Sequence, residues 1–260
     1  EKKAGRIAAE GLSAVTLSED GKVGAIVEVN SETDFVAKNE KFQTYVQAVV
    51  EQVAKSKATN LDEFLEEAWE LDTTKTVKEE LSTQISIIGE NMNIRRFDRL
   101  VADNGFVEAY VHAGGKIAVL VKVESEVDND VAREAARNVA MQVAAISPKY
   151  VNRDEIPQDY INHEKEILKA QALNENTGKP EHIIDKIIEG RLNKELKAVC
   201  LVDQEYIRDS DLTVQKYLEQ VSKEIGTKLS ITQFVRFETG EGIEKKEENF
   251  AEEVAKQMGQ

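Results

Sequence analysis

The chain has 260 residues and a mass of 29.1 kDa, of which 41% are apolar and 32% charged; this is enough for one large or two modest cores and is the composition of a folded protein. Its 34 basic and 49 acidic residues leave a net charge of −15, which repels phosphate backbones and anionic lipid and argues against direct nucleic-acid or membrane binding. A single cysteine, Cys200, excludes an internal disulfide, and with no apolar run of membrane-spanning length and no signal-peptide core in the opening EKKAGRIAAEGL, a cytoplasmic protein is expected.

In chain order, the runs AVTLSED and GKVGAIVEVN meet at Asp20-Gly21, two residues that tolerate positive φ, and predict a hairpin. Phe42, Val46, Val49 and Val53 follow at helical spacing. Leu61–Trp69 and Thr76–Ile88 read as further helices, and NMNIRRFDRLVA, from Asn91, as a strand. The order then returns. FVEAYVHAG turns at Ala113-Gly114-Gly115 into GKIAVLVKV; a helix with Val131, Ala135, Val139 and Val143 follows, and a strand KLSITQFVRFE starts at Lys228. Sliding the chain by 94 residues lays GKVGAIVEVNSETDFVAKNE, from Gly21, over GKIAVLVKVESEVDNDVARE, from Gly115, and sets Phe35 opposite Asn129. The expected fold is α+β: two similar lobes, each a small antiparallel sheet with helices on one face.

The three prolines, Pro148, Pro157 and Pro180, fall within 33 residues and mark a change of architecture. Tyr160, Ile161, Ile167, Leu168 and Ala172 form one helical stripe; Thr177-Gly178-Lys179-Pro180 breaks it; Ile183, Ile184, Ile187, Ile188 and Leu192 form a second. Narrow stripes among dense charge predict a projecting antiparallel helical hairpin, a short coiled coil. Beyond it, Gly240-Glu241-Gly242 reads as a hinge before an amphipathic helix with Ile243, Phe250, Val254 and Met258. The expected division is residues 1–103 for the N-terminal lobe, 104–155 with 203–239 for the C-terminal lobe, 156–202 for the hairpin, and 240–260 for a C-terminal helical module.

Enzyme signatures fail. Gly115-Lys116 lacks the first glycine and the hydroxyl of a phosphate-binding loop, G-x-G-x-x-G and G-x-S-x-G are absent, and His112, His163 and His182 stand too far apart for a local metal pair. An enzyme with its own active site is not expected, and neither is a cofactor or metal. Ser31-Glu32-Thr33-Asp34 and Ser125-Glu126-Val127-Asp128 each match a capping box, with the serine on the helix start and the aspartate returning the bond. Phe35, in the first turn after one of them, either staples the helix to its own core or stands free to enter a partner's pocket. Residue chemistry leaves those two readings level.

EVNSETDFVAK, from Glu28, resembles the signature of the bacterial elongation factor Ts family, guanine-nucleotide exchange factors for the GTPase elongation factor Tu. IGENMNIRR (from Ile88), YVHAGGKIAVLV (from Tyr110), NTGKPEHIIDKIIEGRL (from Asn176) and VRFETGEGIEKKEENFAEEVA (from Val235) resemble later segments of that family, in its order. Two departures are visible: the family normally opens with a three-helix module of signature L-R-x-x-T-G-x-G, which this chain is expected to lack, and Lys116 stands where arginine is common. The resemblance implies a partner, elongation factor Tu, and an exchange factor rather than an enzyme, with homodimers in some members. It implies that Asp34 and Phe35, flanked by Thr33 and Val36, intrude beside the magnesium and phosphate site of the GTPase. It further implies that Ile88, Gly89 and His112 meet the partner's third domain, and that the C-terminal helix, with Phe250 and Val254, touches its nucleotide-binding domain. The rival reading is a scaffold protein that oligomerises through the helical hairpin.

Overall fold

The computed structural model describes residues 2–245. The first lobe runs β1 (Glu10–Leu17), β2 (Val23–Ser31), α1 (Asp34–Ala37), α2 (Glu40–Lys55), α3 (Leu61–Glu66), β3 (Ala68–Trp69), β4 (Asp72–Thr76), α4 (Val77–Ile88) and β5 (Met92–Val101). The second runs β6 (Gly105–His112), β7 (Ile117–Glu124) and α5 (Asp130–Ile146), and after the hairpin helices α6 (Gln158–Glu175) and α7 (Glu181–Val199) it resumes with β8 (Glu205–Tyr206), β9 (Asp209–Thr213), α8 (Val214–Ile225) and β10 (Ser230–Glu238). Two three-stranded antiparallel sheets result, ordered β1-β2-β5 and β10-β7-β6. The fold is α+β with two sheet lobes, as expected.

Strand alternation divides the core into three layers. On β2, Ala25, Val27 and Val29 face α2, while Ile26 faces the other sheet; on β7, Val119, Val121 and Val123 face α5, while Ala118 and Leu120 face back. Ile26, Leu100, Val107, Leu120 and Phe237 therefore form a middle layer that neither lobe could bury alone. At one end of this layer lies Glu28, with no exposed surface. Arg96 Nε donates to it at 2.6 Å, Arg95 Nη1 at 3.2 Å, Asn30 Nδ2 at 2.9 Å and the Gly240 amide at 2.7 Å.

Consecutive strand residues point to opposite faces, so Arg95 and Arg96 should not reach one carboxylate. A bulge permits it. Glu28 pairs with Arg96 but the next residue, Val29, pairs with Ile94, leaving Arg95 as the extra residue that the bulge turns inward. Arg96 also lies 4.3 Å over the Phe237 ring, tying the first sheet to the second.

Gly240 is consequently no hinge. Its φ of +82° is one that favours glycine, a Cβ there would meet the Ala9 carbonyl at 2.2 Å, and its amide is committed to Glu28. A second correction concerns Leu61–Trp69: the helix ends at Glu66, and Trp69 belongs to β3, where pairing with β4 sets its ring 5.9 Å from Tyr45 in the core. Thr76, expected inside the following helix, is its cap, in a capping box with Glu79.

The duplication extends beyond the hairpin-and-helix units. β8, β9 and α8 repeat β3, β4 and α4 at 137 residues' distance, Trp69 to Tyr206, Thr76 to Thr213 and Gly89 to Gly226, with the two threonines capping and the two glycines terminating their helices. A buried glutamine does the same work in both lobes. Gln52 donates to the Ala68 carbonyl and accepts from the Glu70 amide, as Gln142 donates to that of Glu205 and accepts from Ile207. Gln52 to Ala68 is 16 residues whereas Gln142 to Glu205 is 63; the longer connector holds α6 and α7. Leu168, Ala172, Ile184 and Ile188 of these helices pack on one another, Arg191 reaches Glu175 at 2.7 Å, and Ile167, expected in the stripe, is exposed. Among the described residues no helix is long and apolar enough to cross a membrane.

Burial alone would raise the Glu28 carboxyl, but the Gly240 amide, Asn30 and Arg96 together outweigh it and hold the group below its ordinary 4.5. Its contribution to stability is therefore complete above that value and is lost as pH falls through the lowered range. Glu28→Ala should cost on the order of 3 kcal/mol at pH 7, because it leaves two guanidinium groups without their acceptor. The deficit should narrow at pH 4, as measured by urea unfolding at both pH values.

Candidate functional site

The first lobe's candidate residues gather where β2 gives way to helix. Ser31, expected to cap that helix, ends the strand instead, and its hydroxyl donates to the Thr33 carbonyl at 3.0 Å. The N-cap is Thr33, whose hydroxyl accepts from the Val36 amide, and Asp34 is the first helical residue. The second copy shows the same correction: Ser125 donates to the Val127 carbonyl at 2.7 Å, and Asn129 is the cap of α5, accepting from the Ala132 amide. A serine at the strand end closes a turn with its hydroxyl, and the cap is the residue from which the backbone first turns helical.

This changes the internal alignment. Asn39 caps α2 as Asn129 caps α5, and the buried set Phe42, Tyr45, Val46, Val49, Val50, Gln52 and Val53 matches Ala132, Ala135, Ala136, Val139, Ala140, Gln142 and Val143 at an offset of 90, not 94. Between Thr33 and Asn39 stand five residues, whereas between Val127 and Asn129 stands one. The difference of four is one helical turn: α1, Asp34–Ala37. Phe35 thus has no counterpart in the second lobe. Asn129, set opposite it by the uniform shift, is the counterpart of Asn39.

The turn α1 is anchored on one side and bare on the other. Ala37 is buried and Val36 packs against the core of the first lobe, while the Phe35 side chain is 80% exposed. Asp34 is also exposed and meets Lys38 at 3.4 Å. The staple reading of Phe35 is excluded by this exposure, because a staple would have to bury its ring.

Ile88 and Gly89 are brought to the same place by Glu90. Ile88 ends α4 half-buried on the lobe's core, and Gly89, at φ +89°, terminates the helix in the left-handed region. The next side chain, Glu90, crosses to the root of α1. Its Oε2 accepts from the amides of Glu32 and Thr33, both at 3.0 Å, and its Oε1 accepts from the Thr33 hydroxyl at 2.6 Å. Glu32 returns the bond, accepting from the Asn91 amide at 2.6 Å, and lies 3.6 Å from Arg6. His112 stands apart, exposed at the end of β6, its Nδ1 2.9 Å from the Tyr110 hydroxyl. Phe250 and Val254 lie outside the described residues. Glu90 and Glu32 were not singled out from sequence; no local spacing signals a carboxylate that reaches across 57 residues to Thr33.

Comparison with known proteins gives one consistent result. The protein family described as elongation factor TS matches residues 32–241. The chain is 50% identical over 259 residues to elongation factor Ts of Clostridium novyi (strain NT), an alignment that covers 100% of this chain and 84% of that protein. It is 52% identical over 257 residues to elongation factor Ts of Clostridium kluyveri (strain NBRC 12016), covering 99% and 83%, and 50% identical over 257 residues to that of Clostridium tetani (strain Massachusetts / E88), covering 99% and 84%.

Exposure of Phe35 sets a stability expectation that needs no partner. Phe35→Ala should shift the free energy of unfolding by less than about 0.5 kcal/mol. Thr33→Ala, which removes a cap and a bond to Glu90, should cost about 0.5–2 kcal/mol. Urea denaturation of the two variants beside the parent protein measures both.

Proposed function

The chain belongs to the elongation factor Ts family of translation elongation factors, and on that premise we propose that it is a guanine-nucleotide exchange factor that binds elongation factor Tu in its GDP form and promotes GDP release. The observation that carries this reading is Phe35, an aromatic ring 80% exposed at the crest of a one-turn helix whose other side is fastened to the core. An isolated, exposed aromatic on a rigid base is the geometry of an anchor residue that fills a partner's pocket. Its burial there would supply about 1.5–3 kcal/mol.

Asp34 and Phe35 enter beside the magnesium and phosphate site of the GTPase, with Thr33 and Val36 forming the rigid base. Magnesium demands near-ideal octahedral coordination, so a small displacement of its surroundings weakens its hold on the nucleotide. Ile88, Gly89 and His112 contact the partner's third domain, and the C-terminal segment with Phe250 and Val254 adds a further contact. Every step takes place on the partner's bound nucleotide, and this chain makes and breaks no covalent bond. Exchange is driven by differential affinity: the factor binds the nucleotide-free GTPase better than either loaded form.

Release of fluorescently labelled GDP from elongation factor Tu, with this protein substoichiometric, tests the proposal. Many GDP molecules released per factor molecule are expected, and an unchanged release rate overturns the reading. Phe35→Ala should lose most of the stimulation. His112→Ala should weaken binding to the nucleotide-free GTPase by about tenfold in calorimetry, the loss of one good interface contact.

A further inference from the structure

We propose that Glu90 is the positioning residue of the exposed aromatic: its carboxylate holds the root of α1 and so fixes the direction in which Phe35 projects. The inference rests on the exchange reading for its functional consequence, but its structural part stands alone. One carboxylate takes three donors from two successive residues, the Glu32 and Thr33 amides and the Thr33 hydroxyl. Hydrogen bonds to an ionised acceptor are the strong ones, and a bidentate set fixes orientation as well as distance. Thr33 is the cap of α1, and Phe35 lies two residues on. A four-residue helix has too few internal bonds to hold itself, so its direction has to be imposed from its ends.

The second lobe supplies the comparison. It lacks the extra turn, and it lacks the clamp as well: Val127 stands where Thr33 stands, without a hydroxyl, and Thr227 stands where Glu90 stands, one residue past the helix-terminating Gly226 as Glu90 is one past Gly89. The strand-end serine bond, by contrast, is present in both lobes. Features that serve the shared fold are therefore duplicated, whereas Glu90 occurs only beside the turn that carries Phe35. Its backbone also continues directly from Ile88 and Gly89, so the same loop that presents those two residues aims the aromatic.

The experiment uses the full chain with its phenylalanines fluorinated, and Glu90→Ala, Glu90→Gln, Phe35→Ala and the double variant Phe35→Ala/Glu90→Ala. The Phe35 resonance is assigned by its loss in Phe35→Ala. In the free protein Glu90→Ala should shift and narrow that resonance alone among the eight phenylalanines; an unchanged line overturns the proposal whether or not the protein exchanges nucleotide. With elongation factor Tu, Glu90→Ala should lower the maximal stimulated release of labelled GDP by about tenfold, the preorganisation lost with a free aromatic. Glu90→Gln, which keeps an oxygen for the two amides, should recover most of it. In the Phe35→Ala background Glu90→Ala should have no further effect, because the two act as one unit. Equal losses in both backgrounds would assign Glu90 a general structural role and overturn the inference, while failure of the parent protein to stimulate release would overturn the exchange reading alone.

Discussion

A carboxylate with no solvent contact has to be surrounded by donors or it will not stay charged. Glu28 sits in the layer between the two sheets, and the arrangement of its donors shapes much of the molecule. The bulge in β5 brings both Arg95 and Arg96 to it, the turn after β10 delivers the Gly240 amide, and Arg96 continues to the Glu238 carbonyl and the Phe237 ring. Removing both arginines would leave a buried carboxylate without a compensating charge. The ion pair itself lies within the first lobe, and the Gly240 amide, the Glu238 carbonyl and the Phe237 ring tie it to the second at one end of an apolar layer. An apolar layer alone tolerates sliding; a multiply bonded carboxylate has one register.

Towards the other end of β2 a third guanidinium is placed beside the layer. Arg133 holds Asp128 through two bonds of 2.7 Å, donates to the Val107 carbonyl and lies 4.1 Å over the Phe106 ring, so close to the Asp20-Gly21 turn that a Cβ on Gly21 would strike it. These bonds hold the Asp128 carboxyl below the usual carboxylate range. At this end the Val107 amide donates to the Gly21 carbonyl at 2.8 Å, so the two lobes are hydrogen-bonded at both ends of the middle layer, and β2, which runs between, delivers the candidate site.

Duplication followed by local divergence accounts for the site. Strand ends, helix caps, terminating glycines and the buried glutamines recur in both lobes because each lobe has the same packing problem. One extra helical turn in the first lobe and a long helical connector in the second are where the copies part. The turn costs the core nothing, since only Val36 and Ala37 face inward, and it places Asp34 and Phe35 outside the repeated scaffold with a single carboxylate to steady them.

The sequence by itself determined the class of fold, the two lobes, the hairpin turns at Asp20-Gly21 and Ala113-Gly114-Gly115, the helical pair and the T-D-F-V segment. Alternation, helical periodicity and turn chemistry are local, and a local signal can be read along a chain. Tertiary structure alone decided which way Phe35 faces, that Asn39 and not Phe35 is the partner of Asn129, that Gly240 is fastened rather than free, and that Trp69 lies in a strand. Each of these depends on a group far away in the chain. A one-turn helix gives no period to detect, and a uniform offset conceals a four-residue difference because a helix shifted by four keeps nearly the same face. A bulge, likewise, leaves no trace in residue spacing, so the meeting of Arg95 and Arg96 on one buried carboxylate could be seen only with both sheets in place.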